Sequence, residues 1–284
     1  MTALYVLGLL IPVAFISGWW TARSAGVKRS GAQVSELSSD YFRGLNYLLN
    51  EEQDKAIEHA RRLEAMTGED EAGMIAQFYC ELADQARQHG ARQDASEYLR
   101  QAFACQPDCV RAFMLTGRLY ADEGVHDKAV DVYETAIEAD IAFVPEILPP
   151  LLNSYARSQQ MERAERFLRD ILERYHGISP VLALTRLYQQ RDGERTAIDF
   201  LTSQLRQRPS VRGLMALIDA TMDKVEGEAR DNFLILRDLT KKLLEGQAMY
   251  RCSRCGFGAK AHHWQCPSCK SWSSIRPIHG VANE

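Results

Sequence analysis

The feature that most narrows what this chain can fold into is a period. Ala95, Ala129, Ala164 and Ala197 follow one another at intervals of 34, 35 and 33 residues, each within a stretch whose apolar residues recur at helical spacing. The clearest unit runs from Arg111 to Asp140, with Gly117 and Tyr120 on one helix, Gly124 in a turn, and Ala129, Tyr133 and Ala136 on a second helix. Small residues at such places let two antiparallel helices touch, and the aromatics fill the space beside them. A unit of this kind buries its apolar face only by stacking on further copies.

Period and pattern are those of tetratricopeptide repeats (TPRs). The unit around Ala95 carries Leu82, Ala83, Gly90, Leu99, Ala102 and Pro107. The one around Ala164 has Leu151, Tyr155 and Leu168 but Gln159 where its neighbours have a turn glycine, and the one around Ala197 has Leu184, Tyr188, Leu201 and Pro209. A further unit with Gly44, Tyr47 and Ala56 precedes them, its 39-residue interval to Ala95 absorbed by a loop from Thr67 to Gly73. Val211 to Asp223 and Glu228 to Leu244 read as a last helix pair without the small-residue signature. Its apolar residues Leu214, Leu217, Ile218, Phe233, Leu236, Leu239 and Leu243 fall at helical spacing; the pair is expected to cap the array, with Gly246 ending its last helix. The expected fold is therefore all-α, a TPR superhelical solenoid over residues 39–246, of about five repeats plus the capping pair. The competing reading is a helical bundle with accidental spacing.

The bulk numbers constrain less. A stacked array relaxes the usual link between length and domain count, so 284 residues do not count domains here. A net charge of -4 with 25% charged residues describes an ordinary surface, without a chain-wide basic bias toward nucleic acid.

Ala3 to Trp20 contains no charged residue over 18 positions and is followed by Arg23, Lys28 and Arg29. At 1.5 Å per residue it covers about 27 Å, which predicts a transmembrane anchor over residues 1–22 and a Ser- and Gly-rich juxtamembrane linker over 23–38. The positive charges all follow the span, which places Met1 outside and the bulk of the chain in the cytoplasm, with Trp19 and Trp20 at the interface. A cleaved signal peptide fits poorly, because no basic segment precedes the apolar run and no small-x-small site follows it. A buried core helix is the other alternative.

Residues 247–284 carry the most specific chemical signal: Cys252-x2-Cys255 and Cys266-x2-Cys269, ten residues apart. Two such turns aim backbone amides at their sulfurs, and four thiolates close a tetrahedron around one soft divalent ion. Cys255-Gly256-Phe257 and Cys266-Pro267 have the form of rubredoxin-like knuckles. One structural metal ion is expected, zinc by default, with iron accepted by the same donor set. A thioredoxin-like redox pair would need a single Cys-x-x-Cys in a strand-helix setting. The closed ligand set leaves no position open for substrate. His262 and His263 are read as surface residues, and Trp264, Trp272 and Ile275 as packing the module or docking it onto the last helices. The remaining thiols are expected to be reduced, Cys80 as a small buried residue, with Cys105 and Cys109 flanking Pro107 where they could pair. Lys241, Lys242, Arg251, Arg254, Lys260, Lys270 and Arg276 cluster around the module, where nucleic acid, an acidic face of the array or anionic headgroups compete with plain solvation.

No Gly-rich phosphate loop, Gly-x-Ser-x-Gly elbow or His-Glu-x-x-His helix is present in the sequence. The reading is a non-enzymatic protein that binds partners. A partner surface is expected on the inner helices, at Tyr79, Phe113, Arg118, Tyr120 and Tyr155.

Beyond these features, residue-level motifs at both ends resemble the lipopolysaccharide assembly protein B family of Gram-negative bacteria. Ser39-Asp40-Tyr41, Gly44-Leu45-Asn46 and Gln53-Asp54-Lys55-Ala56 look like that family's first repeat, and Phe78 to Ala83 like a central one. Tyr250-Arg251-Cys252, Cys255-Gly256-Phe257, Trp264, Cys266-Pro267-Ser268-Cys269, Trp272 and Ile275 to Gly280 look like its C-terminal module. The resemblance implies a single-pass inner-membrane adaptor that restrains lipopolysaccharide synthesis by promoting degradation of the LpxC deacetylase by the membrane protease FtsH. Family members carry a longer array. The difference falls between Ala56 and Gly73, where about three further repeats are expected.

Overall fold

The structure is a computed structural model, and it describes Lys55, Glu58 and residues 72–222 and 225–284. The expected anchor (1–22), the linker (23–38) and the repeat around Gly44, Tyr47 and Ala56 lie outside the described residues. No helix among the described residues is long and apolar enough to cross a membrane. The chain divides into two compact units, Met1–Phe78 and Tyr79–Glu284. The second unit holds the features that follow.

Ten helices are described, and they come in pairs: α1 (Ala72–Gln88) and α2 (Arg92–Cys105), α3 (Val110–Asp122) and α4 (His126–Ala139), α5 (Val144–Arg157) and α6 (Met161–Arg174), α7 (Ser179–Arg191) and α8 (Glu194–Gln207), α9 (Val211–Met222) and α10 (Glu228–Leu244). Ala72 and Gly73, expected in a loop, instead begin α1.

One turn closes the first three pairs: Gly90 and Gly124 sit at φ of 76° and 75°, and Gln159 occupies the equivalent position at 58°, whereas the fourth pair turns at Gly193, φ 90° and ψ 170°, directly before α8. The amide that follows reaches back over the turn, from Ala91 to Ala86 O (2.8 Å), Val125 to Tyr120 O (2.9 Å) and Gln160 to Tyr155 O (2.9 Å). These are the bonds that satisfy carbonyls left open at a helix end. Gln159 thus adopts the glycine conformation despite its Cβ, at a steric cost.

The small residues that define the period lie where helices meet. Ala95, Ala129, Ala164 and Ala197 are all buried. Gly117 of α3 faces the ring of Tyr133 on α4 so closely that an added Cβ would lie 2.5 Å from Tyr133 Cε1. Around these contacts a continuous core runs through Ile137, Ile147, Leu151, Tyr155, Leu168 and Leu184. On the surface, Arg163 of α6 pairs with Asp131 of α4 at 2.7 Å and Arg174 with Glu138 at 2.6 Å. Such exposed pairs add little individually, and the stacking itself comes from burial.

The last pair stacks on the end of the array. α9 packs on α8 and α10 on α9, and Ile218 is buried. Leu236, Leu239 and Leu243 of α10, at helical spacing in the sequence, are at least half exposed, as is Ile235. Only Thr240 of α10 is buried. Helical periodicity marks an apolar stripe without saying that anything covers it.

After Gly246 (φ 84°) the chain enters the metal module. Its three short strands are β1 (Tyr250–Cys252), β2 (Gly258–Ala259) and β3 (Ile275–Pro277). They form an antiparallel sheet in the order β2-β1-β3, with Arg251 opposite both Gly258 and Arg276.

Candidate functional site

The two knuckles are built alike. In the first, the Cys252 amide donates to Phe257 O (2.8 Å) and the Gly256 amide to Cys252 O (3.0 Å). In the second, Cys266 donates to Ser271 O (2.8 Å) and Lys270 to Cys266 O (2.9 Å). The residue after the second cysteine is left-handed in both, Gly256 at 77° and Lys270 at 60°. Glycine suits the first turn, and the second adopts the same path with a side chain attached.

This pairing brings the four predicted ligands together. Cys252 and Cys269 sulfurs lie 3.7 Å apart, as do those of Cys255 and Cys266. All four ligand atoms fall within 4.8 Å of one another. A regular tetrahedron with metal–sulfur bonds near 2.3 Å has edges of about 3.8 Å, close to these two 3.7 Å separations, so the four sulfurs can close on one tetrahedral ion. The donor set accepts zinc or iron. Ser274 Oγ lies 3.3 Å from Cys252 Sγ, and Ser271 Oγ 3.3 Å from Cys269 Sγ. The Ser274 contact pulls the Cys252 thiol down to about 6, and Ser271 lowers that of Cys269. Burial pushes Cys266 up to about 11. A bound divalent ion would remove that proton outright. Its contribution would be structural, since the module's own buried core is Cys252, Cys266 and Ile275.

The module docks along the first helices of successive pairs, the inner face of a TPR array, rather than onto the last helices, while Ile275 takes the other expected role and packs the module itself. Trp264 stacks on Phe143 with centroids 5.2 Å apart, in the short helical turn Ile141–Phe143 that precedes α5. Arg276 pairs with Asp140 and lies over the Phe143 ring. The Tyr250 hydroxyl donates to Glu146 of α5. Arg111 of α3, 6% exposed, pairs with Glu81 at 2.8 Å. Its guanidinium also lies 5.7 Å from the Trp264 ring centroid and 5.6 Å from that of Trp272. Further along, Glu284 accepts from the Ser179 amide at the start of α7 (2.8 Å) and pairs with Arg212 of α9 (2.7 Å). Trp264 and Trp272 therefore do dock the module, but onto α3 and the segment before α5.

His262 is a second correction. It is half-buried among Phe143, Tyr250 and Trp264, with centroid distances of 5.5, 5.7 and 4.7 Å. Burial lowers its pKa to about 4. His263 beside it is exposed, as expected. Of the basic cluster, Arg276 is committed to Asp140 and Lys242 to Asp238.

The five expected partner residues separate by burial. Tyr79 and Tyr155 belong to the core, Tyr155 with its hydroxyl on Glu134, because the aromatic positions of the repeat fill the helix crossing. Phe113 is half-buried against Phe103 at 4.7 Å, and Tyr120 lies half-buried under Lys128 at 5.5 Å. Arg118 is exposed. The three thiols are free, and Cys109 sits 3.9 Å from Cys80, both buried.

Residues that the sequence reading missed are Arg111, Asp140, Phe143, Glu146 and Glu284. Only Arg111 left a signal, a cation on the apolar stripe it shares with Met114 and Leu115. The others act across 72 to 136 residues of chain, beyond any local pattern.

The family described as Rubredoxin metal binding domain matches residues 250–277. Lipopolysaccharide assembly protein B of Escherichia coli (strain K12) is 33% identical over 239 residues, covering 83% of this chain and 61% of that one. The protein of the same name from Haemophilus influenzae is 29% identical over 233 residues, covering 82% and 59%. Solved structures overlap more loosely. Pseudomonas aeruginosa pilF is 16% identical with a TM-score of 0.44, covering 75% of this chain and 94% of that one. A thermophilic TPR protein of Thermus thermophilus is 17% identical with a TM-score of 0.38, covering 66% and 99%. With identity along most of its length and a matching metal module at its end, this chain is a homologue of lipopolysaccharide assembly protein B, spanning 61% of the length of the E. coli relative.

Proposed function

We propose that this chain is a non-enzymatic adaptor in lipopolysaccharide assembly, held at the bacterial inner membrane by residues 1–22 with the bulk of the chain cytoplasmic. Its partners in this reading are the FtsH protease and the LpxC deacetylase, and its effect is to promote proteolysis of LpxC. The observation that carries the reading is the 33% identity to lipopolysaccharide assembly protein B over 83% of this chain. The architecture is compatible: a repeat array offers an extended inner surface, and a membrane anchor raises the effective concentration of two membrane-associated partners without any new contact. Because the chain spans 61% of that relative, the second reading is an anchored TPR scaffold with other protein partners.

The test is affinity capture of the full-length chain from its own membranes beside a variant lacking Met1 to Arg23, with bound proteins identified by mass spectrometry and LpxC abundance followed in both strains. Co-purification of the protease and LpxC, with LpxC accumulating when the anchor is lost, is the expected result. Recovery of neither, with LpxC unchanged, would leave the scaffold reading.

A further inference from the structure

A cleft of 340 Å³ opens where the metal module faces the array. One wall is α5, which presents Leu148 and Leu152, and the next is α7, which presents Leu182 and Arg186. These residues recur at the spacing that puts them on one helix face, and both helices are the first of their pairs. The module supplies the third wall, including Lys260. The floor is therefore aliphatic and the rim cationic.

The charges at the rim are unequally satisfied. Arg212 is neutralised by Glu284, whose carboxylate also caps the start of α7. Arg186 and Lys260 are exposed and meet no carboxylate among the described residues. The molecule itself thus seats one carboxylate at this cleft and leaves two cations beside an apolar floor. At 340 Å³ the space lies near the small end of ligand clefts, roughly 300–1,000 Å³, suited to a few side chains and too small for a lipid with several acyl chains.

We propose that this cleft, walled jointly by α5, α7 and the metal module, seats an acidic, aliphatic segment of a partner protein, with Leu-like side chains on the floor and carboxylates on Arg186 and Lys260. The proposal rests on the adaptor reading and gives that adaptor's docking site a chemistry. It also gives the metal a role in recognition, because one wall exists only while the module is folded.

The probe is a fluorescein-labelled peptide of about ten residues alternating Glu and Leu, titrated with the purified full chain and followed by anisotropy. A peptide alternating Lys and Leu and vesicles containing phosphatidylglycerol serve as comparisons. Saturable binding of the Glu-Leu peptide is expected, weakened about tenfold by Arg186→Glu with Lys260→Glu and weakening further with salt. Both positions are exposed, so circular dichroism should show an unchanged fold. Leu152→Ser should weaken the same peptide with the charges intact. No binding, equal binding of the Lys-Leu peptide, insensitivity to the double reversal, or charge-dependent binding of the vesicles alone would each overturn the proposal. If peptide binding fails while FtsH and LpxC still co-purify, the docking site is elsewhere and the adaptor reading survives; if peptide binding succeeds while neither co-purifies, the cleft stands with a different partner.

Discussion

Trp264 of the metal module lies stacked on Phe143 of the array, ring centroids 5.2 Å apart and planes within 20°. Phe143 is buried, with Arg276 over its ring and the edge of His262 beside it. This stack is the apolar centre of the docking contact, surrounded by the charged bonds of Asp140 and Glu146. Phe143→Ala should therefore cost roughly 3–5 kcal/mol. A double-mutant cycle with Trp264→Ala should return a coupling of about 0.5–1.5 kcal/mol. Denaturant unfolding of the four forms measures it; additivity within error would mean that the rings do not support each other.

Metal removal should unfold the module and spare the array. The module's buried core of three residues is too small to hold without an ion, whereas the array core continues through three helix pairs. Under a chelator, the Trp264 and Trp272 fluorescence should shift to the red and four protected thiols should become reactive. Far-UV circular dichroism should lose little helix. Collapse of the helical signal together with the metal would show that the array depends on the module.

Gln159→Gly should stabilise the protein. The left-handed conformation at 58° costs a side-chain-bearing residue about 1–2 kcal/mol, while glycine loses about 0.4–1 kcal/mol through the entropy of the unfolded chain. The difference favours glycine by roughly 0.5–1 kcal/mol. Thermal unfolding reads it directly, and Gly124→Ala should shift the midpoint the other way.

Gly117→Ala should destabilise by roughly 1–3 kcal/mol, because its methyl would meet Tyr133 Cε1 at 2.5 Å in a close-packed crossing. Tyr133→Leu in the same chain should recover part of the loss, and absence of any recovery would place the cost elsewhere.

Stability should fall between neutral and mildly acidic pH through His262. Its folded pKa, lowered to about 4 chiefly by burial, lies below its ordinary value of 6.5. The folded state therefore favours the neutral ring, so the histidine's contribution is whole above about 6.5 and is lost as pH falls toward about 4. A His262→Gln variant should lose less stability than the parent over that window, by on the order of 1–3 kcal/mol. Any acid loss of metal is common to both chains, so identical pH profiles would remove His262 as the cause.

Much of the fold was legible because it is local. A helix crossing needs a small residue at one place per repeat, and Ala95, Ala129, Ala164 and Ala197 stand there; a left-handed turn favours glycine, and Gly90 and Gly124 stand there. Gln159 was the exception in sequence, and the turn forms around it regardless because the neighbouring crossings hold it. The four ligands were equally legible, since tetrahedral thiolate coordination demands two short-spaced pairs. The burial of the expected partner residues was not. Tyr155 and Arg118 look alike as large side chains on first helices, yet one is core and the other solvent-exposed.

By itself, then, the sequence determined a repeating helical array and a four-cysteine metal module, because both rest on short-range geometry in which residue type and spacing decide whether a helix crossing or a coordination shell can form. Where the module sits was decided only by the tertiary structure. Arg276 and Asp140 are 136 residues apart, and Glu284 and Ser179 105. Contacts across such separations leave no period or spacing in the chain. They exist because the array carries its first helices onto one face and the module meets that face with Trp264, Tyr250 and Glu284, burying aromatic surface and satisfying charges that no local pattern had paired.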